Sequence, residues 1–278
     1  MNVLITGANG FLGREMCRLF EDSEHTLIAT NRQSLDVSKR EQVRDFFKQN
    51  SIDVVLHTAF LGARSPNECT AEQMDLNLEM YKNLVSHSDQ YKMMFSFGSG
   101  AAYDRRADIN GVTEDELLTR HPEDFYGMAK NIIARHIREY TDNVVNLRLF
   151  GCFGPLEEKS RFISSALSRS MQNEPIIVHQ DKKMDFFYIE DLFRVIMFYI
   201  EESPGLPMDV NMCYKEKYTL RQIAAEINNL TGAQSGVIIN NKNIAIPYTG
   251  SGETLSSLQI PLVGLKEGIR STHEYHSR

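Results

Sequence analysis

Tyr126 and Lys130, in Tyr126-Gly127-Met128-Ala129-Lys130, are the residues whose types and spacing point most directly to chemistry. On a helix, positions i and i+4 lie one above the other, so the phenol and the ammonium share a face. A neighbouring cation favours the phenolate and lowers the pKa of the phenol, which makes the pair a proton donor and acceptor. Beside a bound nicotinamide, that pair would reduce a carbonyl or oxidise an alcohol.

The start of the chain offers a place for the nicotinamide. Met1-Asn2-Val3-Leu4-Ile5-Thr6 is a short apolar run of strand formers and predicts a buried first strand. Gly7-Ala8-Asn9-Gly10-Phe11-Leu12-Gly13 follows, and then a helical pattern through Phe20. Glycines at this spacing permit a tight turn, close approach of a pyrophosphate to the backbone, and packing of helix on strand. The helix N-terminus adds unpaired N–H groups for the phosphates. Strand, glycines and helix in this order favour a dinucleotide turn over an ordinary glycine turn.

The elements that must hold these residues in place alternate. Strands are predicted at Thr26–Thr30, Asp53–Thr58, Lys92–Phe97 and Val144–Phe150, and helices at Lys39–Asn50, Glu72–Ser88 and Pro122–Tyr140. That alternation, with strands apolar throughout, predicts an α/β fold: a doubly wound parallel sheet of the Rossmann type with helices on both faces. Beyond Gly151 the rhythm breaks into a helix at Arg161–Met171, a strand at Ile176–Val178, a helix at Leu192–Ile200 capped by Asp191, and a helix headed by Thr219. The expected division is a dinucleotide-binding domain over 1–155, to which 184–200 returns, and a smaller substrate lobe over 156–183 and 201–278.

With 278 residues and 42% apolar content, the chain can bury a substantial core. A net charge of −7 argues against general nucleic-acid binding. No apolar run reaches membrane-spanning length, and the opening lacks the charged start of a signal peptide. Cys17, Cys69, Cys152 and Cys213 are scattered without ligand spacing, so buried free thiols are the default. A metal-free cytoplasmic protein without a membrane partner is expected.

These residues resemble the extended short-chain dehydrogenase/reductase family, the epimerase/dehydratase type that acts mainly on nucleotide-activated sugars. The resemblance covers nearly the whole chain. It rests on Thr6-Gly7-x-x-Gly10-x-x-Gly13, Ser99 in Phe97–Tyr103, Tyr126-x-x-x-Lys130, Arg148–Pro155 and Asp185–Asp191. It implies that Tyr126 is the general acid/base, that Lys130 holds the nicotinamide ribose, and that Ser99 hydrogen-bonds the reacting oxygen. Gly7, Gly10 and Gly13 would face the cofactor pyrophosphate, with Phe11 and Leu12 as packing and backbone contacts at that turn and Asn9 as a further cofactor contact. Asp36 and Val37 would meet the adenine, Asp36 otherwise serving as a cap for the next helix. Thr58 and Ala59 would border the adenosine ribose, and Phe60 and Asn31 would be further cofactor contacts. Asn77 stands where family members often place an asparagine, although a solvent-facing Asn would serve equally. A homodimer built through two long helices is implied by analogy.

Missing residues narrow the chemistry within the family. Gly100 and Ala101 replace the acidic pair of the dehydratases, and Ala101 also replaces the Cys base of the GDP-fucose type epimerase-reductases. Leu156-Glu157-Glu158-Lys159 lacks their second base, a His. Hydride chemistry at one sugar carbon remains. The second strand ends Ala29-Thr30-Asn31-Arg32, without the acid that pairs with the ribose hydroxyls of NAD. Arg32 could instead receive a 2′-phosphate, so NADP(H) is favoured over NAD(H). The expected function is reduction of a nucleotide-linked 4-keto sugar. The alternatives are a 4-epimerase with tightly bound NAD and a noncatalytic NAD(P)-binding regulatory protein. The N-terminal half looks like the dTDP-4-dehydrorhamnose reductases, and the Ser99 and Arg148–Pro155 regions look closer to GDP-sugar reductases. Arg161, Lys183 and Tyr248 are the candidate substrate contacts.

Overall fold

A computed structural model describes residues 1–62, 69–243 and 245–277. Its strands are β1 (Asn2–Thr6), β2 (Thr26–Thr30), β3 (Val54–His57), β4 (Met93–Ser99), β5 (Ile109–Val112) and β6 (Val144–Leu149), followed by six more. These are β7 (Cys152–Phe153), β8 (Ile176–Gln180), β9 (Phe187–Tyr188), β10 (Asp209–Met212), β11 (Val237–Asn241) and β12 (Tyr248–Gly250). The helices are α1 (Phe11–Phe20), α2 (Arg40–Gln49), α3 (Ala71–Val85), α4 (Phe125–Tyr140) and α5 (Phe162–Met171). Then come α6 (Ile189–Glu202), α7 (Leu220–Thr231), α8 (Glu253–Ser257) and α9 (Gly264–His276). No helix among the described residues is long and apolar enough to cross a membrane.

The chain forms two compact units. The first comprises Met1–Arg106, Thr113–Arg148 and Ile196–Val210; the second comprises Ala107–Val112, Leu149–Val195 and Asn211–Arg278. The first is built on a six-stranded sheet of order β10-β6-β4-β3-β1-β2. Helices α1, α2 and α3 join its first four strands, so consecutive strands run the same way, and β1 pairs in parallel with both β2 and β3. From β1 the chain steps outward to β2, then returns past β1 to β3 and β4. The direction reverses between β1 and β3, and a crevice opens beyond the carboxyl ends of those strands. All of β3 and β6 and nearly all of β1 are buried, as their apolar runs require. One face packs Leu4, Val55, Met94 and Val144 against Met80, Leu84, Ile133 and Ile137 of α3 and α4. Each such side chain contributes about 1.5–3 kcal/mol by leaving water.

Two features of this unit were not given by the sequence patterns. Helix α4 starts at Phe125, not Pro122, because Asp124 stays extended and its carboxylate accepts the Gly127 N–H at 2.8 Å. Arg148 is fully buried in β6, where its Nη2 donates to both carboxylate oxygens of Asp209 in β10 at 2.6 and 2.8 Å. Asn146 donates to the same carboxylate at 2.6 Å, and the Tyr103 hydroxyl accepts from Arg148 Nη1 at 3.0 Å. These bonds offset the cost of burying the ion pair and fix the edge strand.

The second unit holds three two-stranded parallel ladders, β8 with β11, β5 with β12 and β7 with β9. Helix α7 starts with a Thr219–Gln222 capping box and ends at Gly232, which adopts a left-handed φ of 70°. Asp191 does not cap the helix expected at Leu192–Ile200, since α6 already begins at Ile189. Its carboxylate instead accepts the N–H groups of Val263 and Gly264 at the start of α9, both at 2.9 Å, and the Tyr214 hydroxyl at 2.6 Å. An anion suits that helix end.

Candidate functional site

The glycine turn follows β1 directly. Gly7 has φ +71°, and a Cβ there would lie 2.7 Å from the backbone of Ala59, so the ends of β1 and β3 touch. A Cβ on Gly13 would lie 2.4 Å from the Gly7 carbonyl oxygen, so α1 packs on the turn itself. Gly10 occupies the N-cap of α1 and supplies no side-chain acceptor. The first N–H groups of the helix, those of Phe11, Leu12 and Gly13, therefore stay available to a ligand. Asn9 is exposed beside them.

Beyond the turn, the first unit contains a cavity of about 110 Å³ with mostly apolar walls. Gly7, Arg32, Asp36, Val37, Ala59 and Phe60 line it, together with Leu35, Ser38, Leu61, Leu76 and Met80, which sequence reasoning missed. Leu76 and Met80 are one turn apart on α3; the pattern gave the helix but not which face turns to the cavity. Asp36 is not a helix cap, because Lys39 holds that position on α2. Burial acts against the charge of Asp36, but bonds from the Ser38 hydroxyl and N–H, and Arg32 at 3.4 Å, keep its pKa below the usual carboxylate value. The Asn31 carboxamide oxygen accepts the N–H of Gln33 at 2.9 Å in an exposed local turn. The Thr58 hydroxyl donates to the Thr6 carbonyl at 2.6 Å. Asn77 is buried rather than solvent-facing: it accepts the Leu61 N–H at 2.7 Å and donates to the Leu61 carbonyl at 3.0 Å.

Ser99, Tyr126 and Lys130 belong to elements tied to one another by three contacts. Ser99 ends β4, and its hydroxyl accepts the Ala101 N–H at 3.1 Å in the single turn Gly100–Ala102. A Cβ on Gly127 would lie 2.5 Å from the Ala101 carbonyl oxygen, so the first turn of α4 rests on the turn that carries Ser99. Asn131 donates to the Ala102 carbonyl at 2.8 Å, and Lys130 Nζ to the Phe97 carbonyl at 2.7 Å. Arg105, just beyond the same turn, pairs with the capping carboxylate of Asp124. Tyr126 is half-buried, and its ring meets Phe60 edge-on at 5.5 Å.

Burial governs the electrostatics here. The Lys130 ammonium has no carboxylate partner among the described residues, and burial lowers its pKa to about 7. Nearby His57 is buried against Thr6, its Nδ1 lying 2.9 Å from the Thr6 hydroxyl. Burial, and then the charge of Lys130, push its pKa down to about 3, so the imidazole is neutral.

The substrate-side candidates lie in the second unit. Arg161 is exposed at the N-cap of α5, 3.8 Å from Glu157. Lys183 is exposed, its carbonyl accepting the Tyr248 N–H at 2.9 Å. Tyr248 packs its ring on Phe150 at 5.3 Å, and Lys182, not Lys183, reaches the Tyr248 ring, with Nζ 5.7 Å from its centroid. His, Cys, Asp and Glu form no metal-holding group among the described residues.

Known proteins share this fold. The chain is 20% identical to a GDP-L-colitose synthase of Yersinia pseudotuberculosis, over 87% of its own length and 86% of the relative. A GDP-mannoheptose C4 reductase from Campylobacter jejuni with NADP bound has the same fold, with a TM-score of 0.83, 19% identity, and 100% of this chain and 98% of that one covered. So does a Thermus thermophilus UDP-glucose 4-epimerase in complex with NAD, with a TM-score of 0.80, 17% identity, and 100% and 99% covered. The family model of the NAD dependent epimerases and dehydratases matches residues 3–213. With most of its length under that one model, from β1 to Cys213, the chain belongs to the NAD dependent epimerase/dehydratase family, of the extended short-chain dehydrogenase/reductase type.

Proposed function

We propose that this chain is an NADPH-dependent reductase of a nucleotide-linked 4-keto sugar. The observation that carries the reading is the seating of the first turn of α4 on the Ser99 turn, which brings Ser99, Tyr126 and Lys130 under one set of contacts. The residues present fit a nicotinamide dinucleotide. Gly7 and Gly13 leave no room for a Cβ against Ala59 and the Gly7 carbonyl, which keeps the turn tight, and the start of α1 offers free N–H groups for a pyrophosphate. Among the described residues Lys130 gives one hydrogen bond, to the Phe97 carbonyl, which leaves N–H donor capacity for the ribose hydroxyls.

When bound, the cofactor supplies the hydride. Tyr126 gives the sugar oxygen its proton, so the carbonyl becomes an alcohol and the phenol a phenolate, which the Lys130 charge stabilises. The Ser99 hydroxyl uses a lone pair on the Ala101 N–H and keeps its hydrogen for the reacting oxygen. Arg32, with no acid at the end of β2, would exchange its exposed pairing with Asp36 for a 2′-phosphate. Relatives support the substrate class, among them a GDP-L-fucose synthase and a GDP-6-deoxy-D-talose 4-dehydrogenase. Arg161, Lys183 and Tyr248 are proposed to meet the sugar nucleotide, with Lys182 added for its contact with Tyr248.

The test is a screen of sugar nucleotides with NADPH and NADH, following nicotinamide absorbance, on the parent and Tyr126→Phe. The variant should lose about 10²–10⁴-fold in turnover while keeping its cofactor affinity. Undiminished turnover would refute the assignment, and NAD held through purification would turn the reading to a 4-epimerase.

A further inference from the structure

Phe60 touches both members of the reacting pair. Its ring centroid lies 3.4 Å from Lys130 Nζ, and its ring meets that of Tyr126 at 82°. We propose that Phe60 is a positioning residue for Tyr126 and Lys130, its π face standing in for the counter-charge that the buried ammonium otherwise lacks. The proposal rests on the reading of these two residues as the proton-transfer pair.

Three observations carry it. The ammonium is buried and, among the described residues, has only the Phe97 carbonyl as a hydrogen-bond acceptor. Of the groups around it, β3 brings His57, which is neutral, and α4 brings the Tyr126 phenol. Strand β4 and the Gly100–Ala102 turn contain no charged residue, and none of the charged residues of α3 contacts it. Aromatic rings attract a cation through the negative charge of their faces, most strongly where water is excluded. Finally, the ring is bracketed. Ala59 on one side is pressed against Gly7, and Leu61 on the other is held at both backbone groups by Asn77. Phe60 also lines the cavity beside the glycine turn, so one side chain joins that cavity to the proton-transfer pair.

The experiment uses the full, cofactor-free chain with isotope-labelled lysine. The Lys130 side-chain resonance is assigned by its loss in Lys130→Arg and titrated in the parent, Phe60→Leu and Phe60→Tyr. Leucine keeps the wall apolar but removes the π face, so the Lys130 midpoint should fall by about one unit. Tyrosine restores the face and should restore the midpoint. With cofactor, Phe60→Leu should lower kcat about tenfold while the cofactor Kd moves less than about threefold. An unchanged midpoint in Phe60→Leu, or an equal shift in both variants, would overturn the proposal. Turnover surviving Tyr126→Phe would overturn the catalytic reading and any positioning role with it. That failure is distinguishable, because the midpoint would still follow the ring.

Discussion

Replacing Lys130 with Met should stabilise the cofactor-free protein while abolishing its chemistry. An unfolded lysine titrates near 10.4, and burial holds Lys130 at about 7. A gap of about 3.4 units, at about 1.36 kcal/mol each, makes the buried charge cost roughly 4–5 kcal/mol at neutral pH. Methionine fills similar space but leaves the Phe97 carbonyl without its donor, a loss of about 1–3 kcal/mol. The net gain is about 1–4 kcal/mol, or a Tm rise on the order of 2–7 °C for a chain of this size. The pH dependence fixes the sign. Below pH 7 both folded and unfolded chains hold the proton, and the penalty is complete. Between 7 and 10.4 the folded chain has released a proton that the unfolded chain retains, so the parent gains stability as pH rises. The advantage of Met should be largest at pH 6.5 and vanish near pH 9–10. Thermal melts of both proteins across that range provide the assay. A variant less stable than its parent at pH 6.5, or a difference that ignores pH, would refute the account of Lys130 as a strained buried cation.

Two further substitutions test how the elements are held. Gly127→Ala replaces a poor helix former with the best one, yet its Cβ would meet the Ala101 carbonyl at 2.5 Å and Pro122 at 2.8 Å. Turnover should fall about 10–100-fold with little change in cofactor Kd, and an unimpaired enzyme would show that the Ser99 turn does not depend on this seat. Asp191→Ala removes three hydrogen bonds to a buried carboxylate and should cost about 3 kcal/mol or more, with faster amide exchange at the start of α9. Equal urea midpoints for variant and parent would refute the role of Asp191 as the anchor of that helix.

What could be read from the sequence was local. β1, the glycine turn and α1 lie within twenty residues, and each spacing has one physical meaning, so they were legible. The Tyr126–Lys130 face was legible for the same reason, since helix geometry alone sets it. Asp191 was misassigned because proximity along the chain suggested its own helix, whereas α9, more than seventy residues on, takes the carboxylate. Phe60 was singled out only as a cofactor contact; its place over Lys130 depends on β3 and α4 meeting, which no spacing encodes. Asn77 was ambiguous on the same ground, because an amphipathic pattern does not say that a polar side chain is needed inside to hold a loop. The β5–β12 ladder brings together segments more than a hundred residues apart and left no trace in either segment.

The sheet order has a consequence for biosynthesis. β6 lies inside the sheet, yet its outer neighbour, β10, is translated much later, and Asp209 follows Arg148 by 61 positions. While the ribosome works through that interval, a greasy strand edge stands bare and a guanidinium destined for the interior has no anion to meet. The nascent chain is therefore most prone to clumping between the making of β6 and of β10, and a message broken ahead of Asp209 would release a polypeptide whose β6 edge stays unpaired.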